Sequence, residues 1–558
     1  MNFRHLLPFS LGKYPCDLIF RDVTYLDVFS GAWARGDVAL HEGRIVALEA
    51  GLKAIREINA KGKFLVPGFI DAHVHVESAL VTPRGFENMV LKRGTTTAIC
   101  DPHELTNVLG TRALQYFLDE ASGLHLNLKV MLSSCVPATH LETNGGGILN
   151  AQDLLPFKSH PHALGLAEMM NVPGVIFGDE SVHAKLEAFH DVPIDGHAPL
   201  LRGGALSAYA LCGITSCHES SELEEAREKL TKGIAVWIRE GSVAKDLNAL
   251  APLLTSSSSL SLGFCTDDRN PLDIATEGHL DYLIRESIRL GASPIDAYRA
   301  ASFSVALHYG LNRGPQRIGA IAPGFIADLI LLNDPRNVSI HSVWKGGRDV
   351  LELETKSDAT HVFQNTIRID AITESDLDGV KGLVNIIRVL PGKILTEHEV
   401  KDSESIGVAK LSVIERYGRK SKPANAYVSG FGDAFQGAIA SSVGHDSHNL
   451  ICVGSSAKEM KIAVTALACL GGGFCVVKDG KVLSEFALPF GGLMSFKSPE
   501  EIAKNLRDLR QASLATGCIL HEPFLQLAFL SLPVIPKLKL TDKGLVDVDG
   551  FRLIPVAV

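Results

Sequence analysis

Between residues 66 and 315, short apolar runs rich in β-branched residues alternate with amphipathic stretches, so the periodicity switches repeatedly between buried strand and helix. The run Phe64-Leu65-Val66-Pro67-Gly68-Phe69-Ile70 reads as a strand, and 222–230 and 280–290 read as helices. This alternation predicts a parallel sheet covered by helices, and about 250 residues is the usual size of a TIM-like (β/α)8 barrel. The flanks carry a different pattern. Short alternating strands separated by Gly-containing turns occupy 17–50, notably 23–28 and 44–48, and the same texture returns at 327–332 and 343–347. Pro67-Gly68-Phe69 closes the first flank and Pro323-Gly324-Phe325 opens the second. The pattern therefore predicts one small composite β-sandwich domain from 1–65 plus 316–350, around a barrel over 66–315. After residue 350 short strands mix with helices at 457–470 and 499–512, which predicts a separate C-terminal α+β domain over 351–558. No internal repeat is evident, and the serine run 256–259 reads as a loop.

Composition narrows the class of function. The chain has 558 residues, 46% hydrophobic and 21% charged, which suits a soluble multidomain protein. A formal charge of -9 argues against a nucleic-acid partner and for a small neutral or weakly charged substrate. Ten cysteines without any CxxC exclude a zinc ribbon or a dithiol redox pair, and a reducing cytoplasm is the expected location. The N-terminus lacks the features of a secretion signal. The longest apolar run, 462–477, is interrupted by Gly471-Gly472-Gly473 and is too short to span a bilayer, so no membrane partner is expected.

Candidate chemistry sits where the apolar runs end. His73 and His75 alternate at the end of the first run, so both imidazoles point to one side. Metal-ligand residue types then recur in order: Glu168 after 162–167, His197 after 192–196, His218 after 213–217 and Asp267 after 262–266. One such residue after a strand is an ordinary loop residue, but six in series describe a metal site at the carboxyl end of a barrel.

These residues resemble the amidohydrolase superfamily, and more closely its bacterial adenine deaminase family. The resemblance rests on 67–78 (PGFIDAHVHVES), Cys100-Asp101-Pro102-His103-Glu104, Gly165-Leu166-Ala167-Glu168-Met169-Met170, Asp195-Gly196-His197, Cys217-His218-Glu219-Ser220 and Cys265-Thr266-Asp267-Asp268-Arg269-Asn270-Pro271, with Gly444-His445-Asp446-Ser447-His448-Asn449 in the C-terminal part. It implies hydrolysis of adenine to hypoxanthine and ammonia. It also implies a binuclear centre in which His73, His75 and Asp267 hold one ion, His197 and His218 the other, and Glu168 bridges them. Imidazole and carboxylate ligands without thiolate suit Zn, Mn or Fe, and the resemblance implies Mn or Fe. Asp267 is the expected proton shuttle. Protonation of purine N1 is expected from Asp101, His103 and Glu104, with Glu77 and Glu219 as substrate contacts or as supports for the ligand histidines. Asp268 is expected to face away or to support the loop with Arg269, because neighbours on an extended segment diverge. The 445–448 word reads as a lid, a subunit contact, a second metal site or a solvated turn. The resemblance further implies purine salvage and a homodimer or larger homo-oligomer.

The rival within the superfamily is a cyclic-amide hydrolase of the dihydroorotase or imidazolonepropionase kind. That class usually bridges its metals with a carbamylated lysine, and Glu168 stands there instead. A zinc nucleobase deaminase of the other fold needs an HxE together with a PCxxC, and no PCxxC occurs.

Overall fold

Both flanks of the chain enter one eight-stranded sheet. In the computed structural model, which describes residues 3–354, 363 and 366–558, the strand Leu329–Asp334 pairs antiparallel with Phe64–Pro67, aligning Leu329 with Pro67. Their apolar faces form a core with Phe20, Ile45 and Trp344. The chain leaves this sheet at Pro67 and enters the next at Phe69. Gly68 is required at the crossing, since a Cβ there would lie 2.2 Å from Thr96 Oγ1.

The second sheet has eight parallel strands: β1 (Phe69–Val74), β2 (Thr95–Cys100), β3 (Asn127–Leu132), β4 (Ala163–Met169), β5 (Ile194–Gly196), β6 (Ser216–Cys217), β7 (Ala235–Arg239) and β8 (Leu262–Cys265). They neighbour one another in sequence order, and a parallel bridge between Val74 and Asp267 joins the last to the first. The closure consists of Asp267 N–H donating to His73 O at 3.1 Å and His75 N–H to Asp267 O at 3.4 Å. Ile70, Ile99, Met131, Ala167, Trp237 and Cys265 fill the interior, as expected of a packed (β/α)8 barrel. The helices Leu223–Thr231 and Leu280–Arg289 lie where the apolar periodicity predicted them.

A third sheet of eight strands runs from Leu383–Val389 to Lys481–Ala487. Helix Ala457–Leu470 packs Met460, Val464 and Leu467 on one face. Helix Pro499–Ala515 begins with a Ser498/Glu501 capping box and extends beyond the 512 expected from pattern. Besides the core of its own under helix Ala457–Leu470, the region shares a second one with the barrel. One continuous apolar cluster joins Val76, Phe86, Leu105 and Phe117 of the barrel side to Leu411, Phe474, Phe490 and Leu527. No helix among the described residues is long and apolar enough to cross a membrane.

Candidate metal centre

The barrel positions its polar side chains by anchoring the strand ends from below. Asp71, fully buried on β1, accepts hydrogen bonds from Thr266 Oγ1 at 2.6 Å, Thr266 N–H at 3.1 Å and His73 N–H at 3.4 Å, which ties β1 to the segment after β8. Asp195 does the same for β5, taking hydrogen bonds from Ser216 Oγ at 2.6 Å and Tyr309 Oη at 2.9 Å.

Above these anchors, His73 Nε2 and His75 Nε2 face each other at 3.1 Å. Asp267 Oδ1 lies 3.5 and 3.2 Å from them, and Glu168 Oε1 lies 3.5 and 3.4 Å away. His75 Nδ1 sits 2.9 Å from the Asp101 carbonyl oxygen, so it donates there and its Nε2 is left with a lone pair. The other oxygen of Glu168 meets the second imidazole pair, with Oε2 2.6 Å from His197 Nδ1 and 3.3 Å from His218 Nε2. The His218 ring stacks on His73 at 3.9 Å. Imidazole nitrogens and carboxylate oxygens gathered this closely in a dry interior need protons or cations between them. The donor set, all imidazole and carboxylate, therefore fits divalent metal. The six residues of the HxH series converge, and one carboxylate spans two donor groups.

The loop after β2 adjoins this cluster. His103 Nδ1 is 2.8 Å from Asp101 Oδ2 and 3.3 Å from Glu168 Oε1, which adds Asp101 and His103 to the ring of candidate donors. Glu104 points the other way, 3.4 Å from His103 Nε2. Glu77 is placed behind the helix His103–Leu109, accepting Leu105 N–H at 3.1 Å; burial and the charge of Glu104 push its carboxyl up to about 8. Glu219 lines the cavity 3.9 Å from both His197 Nδ1 and His218 Nε2, and it is ion-paired with Arg239.

One placement differs from the reading of the sequence, and one narrows it. Asp268 lines the cavity beside His75 and Asp267, with Ser78 Oγ on its Oδ1. The alternation rule fails there because Asp267 adopts φ 51°, outside extended backbone, so consecutive side chains do not diverge. The 445–448 word is no solvated turn, since all four residues are at most 2% exposed. His445 Nδ1 lies 2.6 Å from Glu104 Oε1, His448 Nε2 contacts Glu104 Oε2, and Asp446 Oδ1 lies 3.7 Å from His103 Nε2. Burial pushes the Glu104 carboxyl up, but His445 and His448 overcome it and hold it well below the usual carboxylate range. A third residue was not singled out from sequence. Arg239, closing β7 and buried, is 3.2 Å from Asp267 Oδ2 and 3.0 Å from Asp246. A lone Arg after an apolar strand is its only sequence signal.

These groups surround a small cavity whose far wall is Phe529, Leu532 and Ile535. An amidohydrolase-family model matches residues 64–350, and a model of the adenine deaminase C-terminal domain matches 392–552. A curated adenine deaminase of Sinorhizobium fredii is 47% identical over 559 residues, 98% of each chain. Adenine deaminase 1 of Agrobacterium fabrum is 47% identical over 568 residues, 99% of this chain and 98% of its own. The chain belongs to the adenine deaminase family. In this adenine deaminase family member the amidohydrolase match contains the six HxH-series residues. His445, Asp446, His448 and the apolar wall lie in the adenine deaminase C-terminal match, so the cavity is assembled from both matched segments.

Proposed function

We propose that this chain hydrolyses adenine to hypoxanthine and ammonia, with His73, His75, Glu168, His197, His218 and Asp267 holding a binuclear divalent metal centre. The observation that carries the reading is the division of Glu168 between two imidazole pairs, within a chain whose full-length relatives are named adenine deaminases. Mn or Fe fits the donor set, as does Zn. A cytoplasmic place in purine salvage and a homo-oligomeric state follow from the same family resemblance. The division into a composite β domain, a barrel and a C-terminal domain is part of the proposal.

Metal ions bound at these ligands would supply water acidified toward neutral pH as the nucleophile for C6. Asp267 takes a proton from the attacking water and passes it to the exocyclic amine, which leaves as ammonia. Within the Asp101, His103 and Glu104 loop, His103, which despite its burial Asp101 and Asp446 hold protonated, delivers the proton that N1 gains as the ring loses its aromatic bond order and takes one back from the C6 hydroxyl as the carbonyl forms. Arg239 holds Asp267 Oδ2 so that Oδ1 faces the histidines. Glu77 supports the loop from behind, and Glu219 fixes the wall beside His197 and His218. The apolar far wall excludes bulk water, which strengthens each of these contacts.

The cyclic-amide reading has no comparable support, because the bridging position carries Glu168 and the C-terminal region matches the deaminase model. The test is purification with Mn supplied, followed by assay of ammonia and hypoxanthine from adenine, with adenosine, guanine and dihydroorotate as controls. Turnover of adenine is expected; its absence, with two equivalents of metal bound, would overturn the proposal.

A further inference from the structure

We propose that Asp446, contributed by the C-terminal region, determines that the substrate is a free 6-aminopurine base, by accepting a hydrogen bond from its imidazole-ring N–H. The inference rests on the deaminase reading above and names the group that recognises the end of the ring far from C6.

Four carboxylates outside the candidate ligand set line the cavity, and three already have partners. Glu104 is ion-paired with His445 and contacted by His448, Glu219 is ion-paired with Arg239, and Asp268 accepts from Ser78. Asp446 differs. It is 1% exposed, its Oδ1 keeps only distant contacts with His103 Nε2 at 3.7 Å and His445 Nδ1 at 3.8 Å, and its Oδ2 has no hydrogen-bond partner among the described residues. A buried, unpaired carboxylate oxygen is costly, and such groups in folded proteins are retained where something else satisfies them. Here the oxygen belongs to a cavity whose opposite side is the candidate metal centre, so the missing donor is on the bound molecule.

Position and chemistry identify that donor. The His103 ring separates Asp446 from Glu168, with its Nδ1 3.3 Å from Glu168 Oε1 and its Nε2 3.7 Å from Asp446 Oδ1. A flat bicyclic ring lying along His103, with its amine-bearing carbon toward Glu168, directs its five-membered portion to Asp446. In the free base that portion carries an N–H; in a nucleoside or N9-alkyl derivative it does not. Glu104 and His445 also reach this end of the cavity but are engaged with each other, and Phe529 and Leu532 complete it with apolar surface. A site built to bond a substrate N–H rejects an analogue lacking it far more strongly than an apolar pocket rejects a methyl group, because the protein's buried partner is then stranded.

The test compares kcat/KM for adenine and 9-methyladenine in the Mn-loaded full chain. Wild type is expected to favour adenine on the order of 10³-fold or more. In Asp446→Ala the ratio should fall to within about tenfold, since no acceptor remains to be stranded, with metal content unchanged. Asp446→Asn keeps the shape but weakens the acceptor. It should lower adenine turnover and leave the 9-methyladenine rate where it was, whereas a purely steric exclusion would leave both unchanged. A wild-type ratio near one, or a ratio preserved in both variants, overturns the inference while leaving adenine deamination standing. Failure of the wild type to use adenine at all would instead sink the underlying reading of the site.

Discussion

The two walls of the cavity are built on different principles. The barrel wall consists of strand ends locked by the sheet, where His73, His75, Glu168, His197, His218 and Asp267 each follow a buried run and are pinned by anchors such as Asp71 and Asp195. The opposite wall comes from loops of the C-terminal region, where His445, Asp446 and His448 lie on the turn between the paired strands Ala438–Ser441 and Leu450–Gly454 and reach across to Glu104 and His103 on the barrel. The rigid wall suits metal ligands, which must keep their geometry without substrate. The loop wall suits recognition, where a few side chains close over the ligand. The difference teaches that the two regions are one functional unit, because the cavity is closed only where the C-terminal turn meets the barrel mouth.

The largest effect should come from separating them. A chain ending at residue 354 loses more than half of a continuous apolar cluster and exposes Phe86, Leu105 and Phe117. It is expected to aggregate and to have no measurable turnover; a soluble, active fragment would show the walls to be independent. Within the barrel wall, Glu168→Gln should lose one of two metal equivalents and about 10²–10⁴-fold in kcat/KM. Asp267→Asn should lose about as much in kcat, the usual contribution of a positioned acid–base group, while keeping metal detectable by elemental analysis. Wild-type rates in that variant would exclude the shuttle.

On the loop wall the effects should be smaller and leave the metal alone. His448→Ala removes one contact to the ionised Glu104 and should cost about 10–100-fold in kcat/KM, with two metal equivalents retained. Loss of metal would mean that the two walls are not separable in role. The smallest effect is on stability. Lys539 is fully buried and donates to the carbonyls of Ile394 and Phe529, both at 2.9 Å, tying the apolar wall to a neighbouring loop; burial lowers its pKa to about 7. The unfolded chain therefore binds a proton between pH 7 and 10.5 that the folded chain does not. Stability to denaturant should rise with pH across that window by a few kcal/mol at most. Lys539→Met should flatten the profile, and an unchanged slope would assign the pH dependence elsewhere.

The barrel was legible because its signals are local. Strand alternation puts His73 and His75 on one side whatever the rest of the chain does, and apolar runs identify the strand ends that carry Glu168, His197 and His218. Helices 457–470 and 499–512 were legible for the same reason, each having its own cap and apolar face. Asp268 was misread because a local rule was applied where Asp267 leaves the extended region to close the barrel. Arg239 was missed because an isolated arginine has no periodic signature, and its partners Glu219 and Asp267 are 20 and 28 residues away.

Sequence by itself determined the barrel, the order of its candidate ligands and the carboxylate at the bridging position, since each depends on near neighbours along the chain. Only the tertiary structure decided which oxygen of Glu168 faces which imidazole pair, and that the C-terminal region shares the barrel's core. It also decided that the 445–448 word is buried against Glu104 instead of lying in water. Contacts between residues 341 positions apart, such as Glu104 with His445, leave no trace in local pattern. They exist because burying the shared apolar cluster brings those loops over the barrel mouth, and the polar side chains carried inside must then find partners there.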